Sequence, residues 1–222
     1  MTGTTLTRIA GGTIIAAAVL AAIVTAAEIV TAPYNAQPVL VAWDAPAHLV
    51  KYLAMLALLV SLPAAFVVQR ATAGRLGLAG LVLILFGLGA AGTPYNVLEM
   101  TLDSSQPTAT LQATWEQLWN NPLLGATAGI GFLGIMIGIV MFAVASRRAG
   151  GAFRSASTAS LISLGIAVVQ MFAMDALPSV IPHGPTWLLL GLGAYGVAVA
   201  RLADVRQTDS ERSAVLAGTA RA

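Results

Sequence analysis

The chain has 222 residues, of which 58% are hydrophobic and only 9% are charged, with a formal net charge of +2. Soluble domains usually carry about 25% charged residues, so this composition excludes an ordinary soluble protein and indicates a chain that faces lipid over most of its surface. The lack of cysteine excludes disulfides, thiolate metal sites and cysteine nucleophiles, and the few, scattered basic residues give no support for nucleic-acid binding.

Six apolar runs in the sequence are long enough to cross a bilayer, which takes about 20 mostly apolar residues as a helix. The fifth and sixth are short and need flanking residues to complete the span. The six runs are Ile9–Val30, His48–Gln69, Gly77–Val97, Leu123–Ser146, Thr158–Met174 and Thr186–Arg201. We therefore predict an all-α fold, a polytopic bundle of six transmembrane helices that forms one domain over residues 1–206. The polar segment 207–222 is predicted to be a flexible cytoplasmic tail.

The arginines predict the orientation of the bundle. In a six-helix arrangement they all fall on one side, leaving only Lys51 on the other; the ten positions are Arg8, Arg70, Arg75, Arg147, Arg148, Arg154, Arg201, Arg206, Arg212 and Arg221. Basic loops remain in the cytoplasm. We therefore expect a multi-pass protein of the cell membrane with both termini cytoplasmic. Five or seven crossings would break this segregation.

The connection between the third and fourth runs, Thr101–Pro122, is the longest on the outer side. Leu111, Trp115, Leu118 and Trp119 recur in it at helical spacing. This pattern predicts a short amphipathic helix, and tryptophans commonly anchor such helices at the membrane surface. A lid packed over the bundle explains the pattern equally well.

Glycines concentrate inside the crossings rather than between them. Small residues spaced four apart let helix backbones approach closely in lipid, where no hydrophobic effect drives association. We expect these glycines to pack helices within one chain rather than to form a dimer interface. They are Gly80, Gly87, Gly89 and Gly92 in the third run, Gly125, Gly129, Gly131, Gly134 and Gly138 in the fourth, and Gly191, Gly193 and Gly196 in the sixth.

Ionisable residues gather at or just beyond the outer ends of the runs. Charged groups are costly in the hydrocarbon region, so those near it form a default functional hypothesis. A bundle is expected to arrange them around one outward-facing opening, with Gln170 as its floor. We call this set the outer polar cluster; its members are Glu28, Asp44, His48, Lys51, Glu99, Asp175 and His183.

Two interpretations of this cluster involve a cofactor. Asp44 and His48 lie on one helical face, and with His183 they supply the carboxylate and imidazole ligands that suit copper, zinc or iron. Alternatively, His48 and His183 begin two helices on the same side and could be the axial ligands of one b-type haem.

A third interpretation is a vestibule that binds a proton, a cation or a small polar solute. Lys51 would neutralise a carboxylate or receive an anionic group, and the histidines would make binding sensitive to pH. Transport also needs an inward path, and the cytoplasmic half of the crossings offers few polar residues beyond Ser61, Ser160 and Ser163. Each residue also has a structural explanation, such as an N-cap for Asp44 or a snorkelling side chain for Lys51.

Enzyme signatures such as H-E-x-x-H, G-x-S-x-G, the P-loop and the dinucleotide glycine pattern do not occur in the sequence. We therefore expect a non-enzymatic integral membrane protein. It would be either a subunit of a larger membrane complex, with the bilayer and other membrane-protein subunits as partners, or a small-solute or ion binder. The alternative is a membrane redox component that uses His48 and His183 to hold a metal or haem.

Overall fold

The structure is a computed structural model that describes residues 3–31, 44–92, 97, 98, 117, 120–173 and 184–219. These residues form helices and contain no strand. The six long helices are α1 (Gly3–Thr31), α2 (Asp44–Val67), α3 (Arg70–Gly87), α4 (Pro122–Arg147), α5 (Gly151–Ala173) and α6 (Gly184–Thr219); a π-helical segment, Leu88–Gly92, follows α3. All six are long and apolar enough to cross a membrane. The predicted all-α, six-helix transmembrane fold is confirmed.

Several helices extend beyond the apolar runs that predicted them. The segment α3 begins at Arg70 rather than Gly77, but Gly74 within it has non-helical φ and ψ angles of 55° and −153° and kinks it, so the uninterrupted helix begins after Gly74. The helix α5 begins at Gly151 rather than Thr158. Arginine, threonine and serine in these first turns lower the local hydropathy, yet they are compatible with a helix at the membrane surface. The helix α6 continues to Thr219, so residues 207–219 are helical; the predicted flexibility of this segment remains a prediction. The amphipathic helix expected within Thr101–Pro122 falls almost entirely outside the described residues.

Each helix packs against its neighbours in chain order, and α6 closes the bundle by packing against α1. The neighbouring helices are antiparallel. The side chain of Met55 in α2 lies beside Gly92 after α3, and Gly80 in α3 lies beside Gly138 in α4. The helices α2 and α6 are also in contact, although they are not neighbours in the chain.

This alternation separates the charged residues between the two ends of the bundle. The described arginines that flank the membrane-spanning parts lie together at one end, which we call the basic end; they are Arg8, Arg70, Arg75, Arg147, Arg148, Arg154 and Arg201. His48 and Lys51 lie at the opposite end, which we call the outer end. The grouping agrees with the sequence prediction, while the side of the membrane that each end faces remains a prediction.

Glycines on α3 and α4 bring the backbones of these two helices into close contact. A Cβ atom added at Gly138 would lie 2.7 Å from the carbonyl oxygen of Gly80 and 2.8 Å from the amide nitrogen of Ile84. Gly131 and Gly87 meet further along the same seam. The prediction that glycines pack helices within one chain is confirmed at these positions.

A second glycine seam joins the first and last helices. A Cβ atom at Gly11 would lie 2.8 Å from the amide nitrogen of Ala200, and one at Gly196 would lie 2.7 Å from the carbonyl oxygen of Gly11. Apolar side chains such as Leu58, Leu192 and Val199 fill the interior between the helices. The bundle therefore combines two backbone-to-backbone seams with a conventional aliphatic core.

Candidate functional site

Two members of the outer polar cluster have described side chains, and both belong to α2. The helix begins at Asp44, so His48 and Lys51 lie one and two turns into it. Both side chains are half-buried. The spacing that predicted a shared helical face is therefore realised, because all of Asp44–Val67 is one helix.

The remaining members of the cluster are not tested. Glu28 lies in α1 and Asp44 begins α2, but their side chains lie outside the described part of the structure. Glu99, Asp175 and His183 lie outside the described residues altogether. Their assembly around one opening stays a prediction.

Two buried polar groups at the outer end support the idea of a polar site there. Gln170 in α5 and Thr186 in α6 are both buried. Neither the Gln170 Oε1 atom nor the Thr186 Oγ1 atom has a hydrogen-bond partner within the described residues. Leaving such a group unsatisfied costs about 1–3 kcal/mol. Gln170, expected from the sequence to be the floor of the vestibule, is thus placed in the interior with a free acceptor among these residues.

The structure gives no test of a metal or haem site. Among the residues whose side chains are described, no three histidine, aspartate or glutamate side chains are grouped closely enough to hold a metal ion. The proposed ligands include His183 and the Asp44 carboxylate, which are not described. Binding of copper, zinc, iron or one b-type haem stays a prediction from the sequence.

A second polar region, unexpected from the sequence, lies in the half of the bundle nearer the basic end. Ser146 of α4, Ser160 of α5 and Tyr195 of α6 are all buried, and the two serine hydroxyls neighbour the Tyr195 hydroxyl. None of the three is placed for a hydrogen bond of good geometry within the described part of the chain. We call these three residues the hydroxyl cluster.

Neighbouring side chains fix the position of the hydroxyl cluster. The Tyr195 ring packs edge-on against Phe142, with ring centroids 4.8 Å apart and an interplanar angle of 63°. Ser157 donates a hydrogen bond of 2.8 Å to the carbonyl oxygen of Ala143, which joins α5 to α4. An aromatic contact and a cross-helix hydrogen bond thus hold α4, α5 and α6 together around the three hydroxyls.

The sequence interpretation undercounted the polar groups in this half of the bundle. The sequence analysis identifies Ser160 as a polar residue of this half but does not identify Ser146, Tyr195 or Gln69. Gln69 is buried in the turn between α2 and α3, and its side-chain amide is unpartnered among the described residues. Ser146 stood at the end of an apolar run and Tyr195 inside one. A tyrosine within an otherwise aliphatic run was the signal that could have identified the cluster.

The two polar regions are separated along α5. Gln170 follows Ser160 by ten positions, a rise of about 15 Å along the helix. Ser163 is the one polar residue between them, and its side chain is half-buried. The polar groups on α5 therefore do not form a continuous path between the two ends.

No protein-family profile, curated protein or solved structure matches the chain. The fold defines the class, an integral membrane protein with six apolar helices suited to crossing the bilayer.

Proposed function

We propose that the protein binds a small cation or small polar solute at the outer end of the bundle. The observation that carries this proposal is the burial of the Gln170 side chain there, with its Oε1 atom unpartnered among the described residues. An amide oxygen inside a membrane bundle needs a donor or a cation, because lipid offers neither. A ligand at the outer end would satisfy it.

Charge at the outer end favours a cation or a cation-bearing solute. The sequence places the carboxylates of Glu28, Asp44, Glu99 and Asp175 near this end, against the single ammonium group of Lys51. Protonation of these carboxylates or of His48 would make this end more positive. Cation binding is therefore expected to weaken in acid.

The proposal favours binding at one end over passage through the bundle. The interval between Ser160 and Gln170 on α5 is apolar except for Ser163. A translocated ion would lose its polar contacts over most of that distance, at a high cost in a low-dielectric interior.

Thermal unfolding of the purified full chain in mild detergent tests the proposal. The probes are sodium, potassium, ammonium, zinc and glycine, each compared with choline chloride at matched ionic strength, at pH 8 and pH 5.5. A ligand at 100 times its Kd stabilises the folded state by about 2.7 kcal/mol. We expect at least one probe to raise Tm at pH 8, with a smaller rise at pH 5.5.

A matched pair of variants tests whether the ligand-dependent rise in Tm comes from the outer end. Gln170→Leu removes the buried amide at the outer end, and Gln69→Leu removes a buried amide at the α2–α3 turn. The ligand-dependent rise in Tm should disappear in Gln170→Leu and persist in Gln69→Leu. Equal loss in both variants, or no response to any probe, would overturn binding at the outer end.

A role as a subunit of a larger complex has one observation in its favour. Gly125 and Gly129, near the start of α4, have the spacing of helix-packing glycines, yet an added Cβ atom at either would meet no described atom within 4 Å. A partner helix could use this surface. Gly125→Leu with Gly129→Leu should then abolish co-purification of a partner without lowering Tm of the isolated chain.

A further inference from the structure

The connection between α4 and α5 is a tight turn that carries three arginines. Arg147 ends α4, Arg148 follows it, and α5 begins at Gly151, with Arg154 in its first turn. Gly150 and Gly151 have φ angles of 71° and 48°, a left-handed backbone conformation that glycine adopts without strain. The chain thereby reverses within three residues and keeps the arginines close together. We call this segment the arginine turn.

A side-chain contact brings two of these arginines to one face. The Nη2 atom of Arg147 lies 3.5 Å from the hydroxyl oxygen of Thr158. Thr158 follows Arg154 by one helical turn and donates a hydrogen bond of 3.1 Å to its carbonyl oxygen. Residues four apart share a helical face, so the Arg147 guanidinium reaches the face of α5 that carries Arg154.

The arginine turn lacks a negative partner in the part of the chain that the structure describes. At the same end of the bundle, Arg8 forms a salt bridge with Asp204 at 2.7 Å. No comparable ion pair involves Arg147, Arg148 or Arg154 within the described residues. Positive groups held together without a counter-charge repel each other and raise the local affinity for anions.

The location of the turn between two candidate membrane spans indicates which kind of anion it meets. The candidate span Pro122–Arg147 ends at this turn and the span Gly151–Phe172 begins there. In a bilayer these arginines would therefore lie at the level of the lipid headgroups. Guanidinium groups bind phosphate through paired N–H donors, and the positive end of the α5 helix dipole adds to the attraction. We propose that the arginine turn binds the headgroup of an anionic phospholipid.

The proposal makes this turn a defined site rather than part of a diffuse basic surface. Arg70 and Arg75 lie at the same end and are also exposed, but they belong to the first turns of α3. They therefore provide the matched control, because their removal takes away the same charge elsewhere. The proposal depends on the chain lying in a bilayer and is independent of solute binding at the outer end.

Native mass spectrometry of the full chain in neutral detergent measures the site directly. Phosphatidylglycerol would be titrated into the wild type, Arg147→Gln/Arg154→Gln and Arg70→Gln/Arg75→Gln, with phosphatidylcholine as the neutral lipid. Each arginine near an anionic membrane surface contributes about 1 kcal/mol, so loss of two at the site should weaken apparent phosphatidylglycerol binding about 30-fold. The Arg70/Arg75 pair should change it less than about threefold.

Three results would overturn the proposal. One is equal weakening in both double variants, which would indicate a diffuse charge effect. Another is equal affinity of the wild type for phosphatidylcholine and phosphatidylglycerol. The third is competition by inorganic phosphate at concentrations similar to those of the lipid, which would indicate a site for a soluble anion. Circular dichroism of the three proteins confirms that each is folded.

Discussion

The helix α4 takes part in two interfaces of opposite character. Towards α3 it presents Gly131 and Gly138, and the two backbones touch with no polar side chain between them. Towards α5 and α6 it presents Ser146, a buried hydroxyl beside two others that lack good hydrogen-bond partners among the described residues. One helix thus takes part in both a close apolar seam and a junction of buried hydroxyls that are poorly satisfied among the described residues.

The contrast shows that close backbone packing and buried polar groups contribute differently to the stability of a membrane bundle. Helices in lipid gain little from burying apolar side chains, so close backbone packing at glycine supplies much of the attraction. Buried hydroxyls give less stability, because each must find a partner to offset its desolvation. The α3–α4 seam is expected to tolerate substitution poorly, and the hydroxyl cluster to tolerate it well.

The largest expected effect is at the seam. Gly138→Ala places a Cβ atom 2.7 Å from the Gly80 carbonyl oxygen and 2.8 Å from the Ile84 amide nitrogen, so backbone atoms must move. Overpacking of this kind costs about 1–3 kcal/mol. Reversible unfolding in mixed detergent micelles should show that loss as a lower midpoint.

Gly129→Ala is the matched control for this substitution. It lies on the same helix, but the added Cβ atom meets no described atom within 4 Å. Alanine is also the better helix former, so the variant should be as stable as the wild type or slightly more stable. Equal destabilisation by both substitutions would mean that glycine acts through α4 itself rather than through the seam.

A smaller effect of the opposite sign is expected at the hydroxyl cluster. Tyr195→Phe keeps the ring that packs on Phe142 and removes a buried hydroxyl that has no good hydrogen-bond partner within the described residues. Relief of the desolvation penalty should stabilise the protein by about 1 kcal/mol. The same unfolding measurement compares it with Gly138→Ala.

Variants of the two serines sharpen this prediction. Ser146→Ala and Ser160→Ala, each combined with Tyr195→Phe, should be no less stable than Tyr195→Phe alone, because they remove further buried hydroxyls that have no hydrogen bond of good geometry among the described residues. A loss of more than about 1 kcal/mol in Tyr195→Phe would contradict the prediction. It would show that water or another group completes a hydrogen-bond network around the cluster.

The seam could be predicted from the sequence, whereas the hydroxyl cluster could not. Gly134 and Gly138 are four residues apart, and helical spacing alone predicts a packing face. The six crossings follow similarly from the length and hydropathy of local runs. Ser146, Ser160 and Tyr195 come from three helices, so their meeting depends on how those helices rotate and pack, which no local pattern specifies.

The candidate site at the outer end could also be predicted only in part from local sequence patterns. The sequence predicts that His48 and Lys51 share a helical face, because both lie in one apolar run, and α2 bears this out. Which carboxylates approach them depends on contacts between helices and on segments outside the described residues. The depth of Gln170 within one run predicts its place near the outer end, whereas its burial depends on how the helices of the bundle pack around it.

The smallest expected effect is at the basic end, where the first and last helices are joined by an exposed ion pair. Arg8 donates hydrogen bonds from Nε and Nη2 to the Asp204 Oδ1 atom, at 3.1 and 2.7 Å, and from Nη2 to Gln207 at 2.8 Å. Both charged side chains are more than half exposed, and exposed pairs contribute about 0.2–1 kcal/mol.

Arg8→Gln should therefore lower stability by less than about 1 kcal/mol, and by less still in high salt, because salt screens exposed charges. The seam between α1 and α6 at Gly11 and Gly196 continues to hold these helices together in the variant. Unfolding at low and high salt, with Asp204→Asn as the reciprocal variant, measures the pair. A loss comparable to that of Gly138→Ala would mean that the ion pair, rather than the glycine seam, is what closes the bundle between its first and last helices.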